Sequence, residues 1–185
     1  SLKASISAIT NKSLEDIETV AKCEKKLDDM QEALTEFLIK VDNLSLSESQ
    51  KKHINNLFNM VTDIERVGDH ADNLSENAKY MIDNDLEFSD LGKEDLAEIS
   101  KDSIEAFEVA INARSGDALR AVRKVNKLED EVDMLEDEMR EKHIERLSKG
   151  DCNPQAGIAF LDIISNLERI SDHATNIAGY VKNEI

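Results

Sequence analysis

Eight carboxylates at four-residue spacing are the residues of this 185-residue chain best suited to chemistry. They form the pairs Glu24/Asp28, Glu65/Asp69, Glu129/Asp133 and Glu168/Asp172. Positions four apart are neighbours on a helix, so each pair puts two acidic groups on one face. Hard oxygen donors gathered this way favour Fe(III), Mn, Mg or Ca over soft-site metals. Without a cation they repel: two like charges ~4 Å apart oppose each other by about 4 kcal/mol at an effective dielectric of ~20. The spacing alone is weak evidence. Among 40 Asp and Glu residues it arises by chance, as at Asp133/Asp137. An acidic rim balanced by nearby Lys and Arg is the plainer reading, and periodicity leaves both open.

Phase and level single out these four pairs. In each helix the apolar line puts the Glu at heptad position e, beside the seam, and the Asp at the following b. Steps of roughly 20 residues lead from a turn near residue 45 back to Glu24/Asp28 and forward to Glu65/Asp69. Similar steps lead from a turn near residue 151 to the other two pairs. In an antiparallel hairpin, equal steps end at the same height, here ~30 Å from the turn at ~1.5 Å per residue. Each hairpin would then face four carboxylates across one interface. Arg66 and Arg169 would supply part of the balancing charge.

The elements that must position these groups are helices. Aromatics make up only 4 % of the chain, which has one Pro and six Gly, and such a composition describes an all-α protein. Ser13 can cap a helix running to about Val41. Ser45 with Glu48 fits a capping box opening a helix to about Ile82. Residues 84–92 read as a loop. A helix follows to about Ala113, with a break at Ser115–Asp117, and the next runs to about Ser148. Asn153 is an N-cap with Pro154 at the first helical position, and the last helix runs to the end. Residues 1–10 read as the tail of a further helix. Apolar residues at heptad spacing, such as Ile54, Leu57, Val61, Ile64, Gly68 and Ala71, lay these helices along one another in bundles.

The chain repeats itself. Glu65-Arg66-Val67-Gly68-Asp69-His70-Ala71-Asp72-Asn73 returns 103 residues later as Glu168-Arg169-Ile170-Ser171-Asp172-His173-Ala174-Thr175-Asn176, identical at six of nine positions. Gly68 and Ser171 are both small where the line crosses the seam, which lets a partner helix approach. The helices before them correspond at a shift of 105, Glu24–Asp28 with Glu129–Asp133. The expected architecture is a tandem repeat of two three-helix bundles, residues 1–84 and 85–185, the first with a truncated first helix.

Other chemistry is poorly supported. A formal charge of −17 argues against nucleic acid and against docking on anionic lipid. No apolar run approaches the ~20 residues of a membrane span. Cys23 and Cys152 make neither a disulfide framework nor a zinc site; Cys23 falls on the core line and Cys152 in a turn. His70 and His173 lie about 140° round the helix from the Glu, and suit packing or support better than ligation. His53 and His143 have no counterpart in the repeat and read as structural or surface. The Glu-x-x-His of di-iron bundles is absent, as are an activated Ser or Cys and a phosphate-binding Gly loop. An enzyme is not expected.

The stretches IERVGDHADNL and LERISDHATNI resemble the signature helices of the PhoU family of phosphate-uptake regulators. The likeness runs from about residue 14 to the end. The stretch from His143 to Ala178 looks more like the cytoplasmic PhoU-like domain that ends bacterial Na/phosphate cotransporters. The resemblance implies multinuclear metal clusters, with iron first and Mn, Mg, Ca or Zn as other candidates. Glu24, Asp28, Glu65 and Asp69 would hold one, and Glu129, Asp133, Glu168 and Asp172 the other. It implies a regulatory role in phosphate homeostasis at the cytoplasmic face of the plasma membrane. The partner would be a phosphate transporter or the membrane portion of the same chain, with inorganic phosphate as a further ligand. An unpaired apolar edge left by the short first helix would favour a homodimer.

Overall fold

The structure, a computed structural model, describes residues 1–115 and 117–182. The chain forms α1 (Leu2–Asn11), α2 (Leu14–Asp42), α3 (Glu48–Asp83), α4 (Asp90–Ile111), α5 (Ala118–Lys149) and α6 (Pro154–Lys182). A 3-10 turn covers Ala113–Ser115. No strand occurs among the described residues.

The helix ends follow side-chain chemistry. Ser13 Oγ accepts the Asp16 N–H and starts α2. The capping box of α3 is formed by Ser47 and Gln50, two residues beyond the expected Ser45 and Glu48. Ser47 is extended, its Oγ accepts the Gln50 N–H, and Gln50 Oε1 accepts the Ser47 N–H at 2.9 Å. The expected loop over 84–92 ends earlier, because Ser89 caps α4 by accepting the Gly92 N–H. Gly150, at φ 76°, closes α5 in the left-handed region that glycine tolerates best. Asn153 Oδ1 then accepts the Gln155 N–H at 2.8 Å and opens α6. The expected end of the last helix falls on residues 183–185, and part of the expected break on Gly116; both lie outside the described residues.

The helices pack as two groups of three, α1–α3 and α4–α6, joined where α3 lies on α6. One apolar core runs through both groups. It contains Val67, Ala71 and Leu74 of α3, Leu96 and Ile99 of α4, Val132 and Met139 of α5, and Ile163, Ile164, Leu167 and Ile170 of α6. Cross-seam partners fix the direction of the two long helices. His70 meets Asn166, and Asp63 meets His173. A later residue on one helix pairs with an earlier one on the other, so α3 and α6 run antiparallel. The same pairs obey the repeat: Asp63 corresponds to Asn166, and His70 to His173. The seam therefore has the reciprocal contacts of a two-fold interface, built within one chain.

The first group is thinner. The ten-residue α1 packs on α2, α3 and α4, while α2 buries only Val20 and Leu38. Met30, Phe37, Ile39 and Leu44 stay exposed towards the far end of the α2–α3 hairpin. Cys23 is half-buried at this edge and does not belong to the core.

Truncating Ile170, which is fully buried in the shared core, to Ala should cost about 2–5 kcal/mol of unfolding free energy. Met134→Ala, at 63 % exposure, should stay within about 0.5 kcal/mol. Urea denaturation followed by circular dichroism measures both. Equal effects would contradict the packing described.

Candidate metal centre

Each acidic pair lies as its heptad phase requires. Glu24, Glu65, Glu129 and Glu168 are half-buried beside a helix seam, and Asp28, Asp69, Asp133 and Asp172 are exposed just outside it. Pairs on neighbouring helices feel one another's charge.

In the first group, burial, then Asp28 and Asp69, push the Glu24 carboxyl up to about 7. Glu65 is raised by burial and by Asp69 and Asp28, with Arg66 opposing. Four carboxylates from α2 and α3 thus share one field. Gly68 makes room for this. A Cβ on it would sit 2.7 Å from Leu27 Cδ1 and 3.1 Å from Glu24 Oε2. That Glu24 oxygen is enclosed and has no hydrogen-bond partner. A buried, unpartnered carboxylate oxygen is costly unless a proton or a cation meets it.

The second group is tighter. Glu129 and Asp133 of α5 and Asp172 of α6 each offer an oxygen, all within 4.8 Å of one another. Burial and its acidic neighbours raise Glu129, with Asp133 the foremost of them. Burial followed by Asp172 raises Asp133. Glu168 is pushed up to about 7 by burial, Asp172 and Asp133, and Arg169 only partly offsets this. Ser171, the counterpart of Gly68, is fully buried and turns its hydroxyl back to the Glu168 carbonyl at 2.7 Å.

Neighbours not singled out by the pair pattern complete the field. Asp72 adds negative charge at Glu24, and Asp130 and Glu136 do so at Asp133. Glu136 is buried and ion-paired to Arg140, four residues on. Asp130 and Glu136 stand off the four-residue rhythm, so spacing gives no sign of them.

The histidines face away from the acidic pairs, into the α3–α6 seam. Their rings stack on each other with centroids 5.5 Å apart. His70 Nδ1 pairs with Asn166 Oδ1 at 2.9 Å, and His173 Nδ1 with Asp63 Oδ1 at 2.7 Å. Tyr180 donates its hydroxyl to Asp63 Oδ2 at 2.8 Å. Burial would raise the Asp63 carboxyl, but hydrogen bonds from His173, Tyr180 and Asn176 outweigh it and hold it below the usual carboxylate range. This network joins the two groups of helices. The repeat register was its only trace in the sequence.

The donor set fits a hard cation. It offers carboxylate oxygens alone, three of them close together in the second group, and an enclosed oxygen without a partner in the first.

Fold and field together define a tandem helical-bundle protein with an acidic face on each bundle. The PhoU domain family matches residues 1–78 and 96–181. The chain belongs to that family. It is 23 % identical over 128 residues to the "Phosphate-specific transport system accessory protein PhoU homolog 1" of Thermotoga maritima, a match covering 69 % of this chain and 54 % of the relative. The chain thus spans about half the length of that relative. Its fold is that of PhoU from Pseudomonas aeruginosa (TM-score 0.89, 19 % identity, 99 % of this chain and 87 % of that one). It is also that of the phosphate transport system regulatory protein PhoU from Streptococcus pneumoniae (TM-score 0.84, 19 % identity, 99 % and 85 %).

The raised carboxyls set a pH dependence with a definite sign. Glu24 and Glu168 bind protons more tightly folded than unfolded. Their contribution is therefore full below their ordinary pKa of 4.5 and is lost as pH rises towards about 7. Chelator-treated protein should lose stability across that window relative to a Glu24→Gln/Glu168→Gln variant, as measured by urea denaturation at several pH values. Parallel pH profiles for the two proteins would contradict it.

Proposed function

We propose that the chain is a metal-binding regulatory domain in phosphate uptake, acting by contact and not by catalysis. The observation that carries the metal part is the gathering of Glu129, Asp133 and Asp172 oxygens within 4.8 Å of one another, in a field that already protonates Glu168 more readily than usual. Glu24, Asp28, Glu65 and Asp69 would hold one metal group; Glu129, Asp133, Glu168 and Asp172 would hold the other. Iron is the first candidate, with Mn, Mg, Ca or Zn as others. Bound cations would supply the positive charge that lets α2 close on α3, and α5 on α6, with all carboxylates ionised.

Membership of the PhoU family, and a relative named as an accessory protein of a phosphate-specific transport system, support a role in phosphate transport regulation. The finer reading is the cytoplasmic domain of a Na/phosphate cotransporter, resting on the likeness of the stretch from His143 to Ala178. No described helix is long and apolar enough to cross a membrane. On this reading the partner would be a transporter's membrane portion, in the same polypeptide or separate. The exposed apolar edge of α2 gives a second copy of the chain a surface to pair on. A competing reading is an acidic module that binds a basic partner without metal. The exposure of the Asp in every pair favours it.

Protein prepared without chelator should contain metal, and the Asp69→Asn plus Asp172→Asn variant should lose most of it, by elemental analysis. Chelation should lower the Tm of the unsubstituted protein. Equal metal content in both proteins would remove the sites. A chelator-insensitive Tm, with the neutral variant more stable, would favour the acidic module.

A further inference from the structure

The α5–α6 turn and the α3–α4 link meet over a second polar cluster, apart from the acidic pairs. Arg146 and His143, in the last two turns of α5, are buried at 9 % and 4 % exposure. Both lie against Phe160 of α6. The His143 ring is 4.9 Å from it between centroids, and the guanidinium carbon of Arg146 is 5.5 Å from its centroid.

A cation this deep needs partners for its N–H groups. Arg146 Nη1 has one, donating to Asp95 Oδ2 at 2.8 Å. Nε and Nη2 are enclosed and have none, and neither has His143 Nε2. Nε and Nη2 form one edge of the guanidinium, from which two N–H bonds point in parallel. That fork matches two oxygens of a phosphate or carboxylate.

The walls suit an anion. The first turns of α4, at Ser89 and Gly92, and of α6, at Asn153 and Gly157, border the cleft. The caps Ser89 and Asn153 already take the Gly92 and Gln155 N–H groups, so these helix ends add only their partial positive charge. Glu87 at the rim is engaged by Lys12 at 3.0 Å and by Lys93 at 3.9 Å. The space inside is about 10 Å³, roughly one water. A larger anion would need the rim, which includes Glu87–Ser89 and Cys152–Asn153, to move aside. Glu87–Ser89 belongs to the link between the two groups of helices.

We propose that this cleft binds a small tetrahedral oxyanion of the phosphate class, gripped by the Nε/Nη2 fork of Arg146 at the joint between the bundles. Occupancy there changes how one bundle is tethered to the other. The site is independent of the acidic pairs and does not rest on metal binding.

Calorimetric titration of the metal-free chain with inorganic phosphate, sulfate and chloride tests it. Phosphate should bind at one site, sulfate should compete, and chloride should give no signal. Arg146→Lys keeps the charge beside Asp95 but loses the fork, and should weaken phosphate binding about tenfold or more. Asp95→Asn frees the guanidinium of its carboxylate and should tighten binding. Asp69→Asn plus Asp172→Asn should leave it unchanged, separating this site from the acidic pairs. No phosphate binding, an equal response to chloride, or an affinity indifferent to both Arg146→Lys and Asp95→Asn would overturn the proposal. Circular dichroism checks folding; should Arg146→Lys unfold, Asp95→Asn decides alone, and an unchanged affinity overturns it.

Discussion

The antiparallel packing of α3 on α6 is the contact on which the rest of the molecule depends. Each helix is the inner wall of its own group, and their apolar stripes merge into one core. Burial is worth about 25 cal/mol per Å² of apolar surface, and neither group could bury its inner stripe alone. The seam also sets the level of the acidic pairs. Glu65 and Asp69 sit on α3, Glu168 and Asp172 on α6, and each set turns outward from the seam to meet its own neighbour, α2 or α5. The apolar interaction thus positions a polar arrangement that would not assemble by itself.

The two acidic fields differ in how they are built. In the first, the close approach at Gly68 brings Leu27 and Glu24 against α3, leaving a carboxylate oxygen enclosed. In the second, Ser171 replaces the glycine, and three oxygens from α5 and α6 converge within 4.8 Å of one another. The same repeat has yielded two acidic faces, each with half-buried Glu carboxyls beside the seam and exposed Asp carboxyls outside it.

Much of the fold was legible in the sequence, for a physical reason. Heptad rhythm, few breakers and strong caps act locally, and Ser13, Asn153 and Gly150 mark helix ends as their chemistry requires. The capping box was misplaced by two residues because Ser45 and Ser47 compete for one role, and only the extended backbone at Ser47 decides between them. The acidic pairs were legible because the repeat supplies the same pattern twice at matching heights. Asp63, Tyr180 and Asn166 were not, since they act across the seam on partners about 100 residues away and follow no rhythm of their own. His143 reads as structural or surface from the sequence, and its burial against Phe160 makes it structural; spacing alone does not bring it together with Phe160 and Arg146.

The seam pairs a carboxylate with one histidine and an amide with the other. Two identical halves would have met with the same side chain on both sides. Asp63 opposite His173, and Asn166 opposite His70, make the halves unlike. A half-chain built on α3 presents a carboxylate to its mate, and one built on α6 presents an amide. Each complements the other better than a copy of itself, since pairing α3 with another α3 would leave two Asp63 carboxylates without the Tyr180 hydroxyl. Two divergences between the repeats, Asp63 against Asn166 and Tyr180 against Asn77, thereby act as a sorting rule: they favour the pairing of unlike halves over the pairing of like ones.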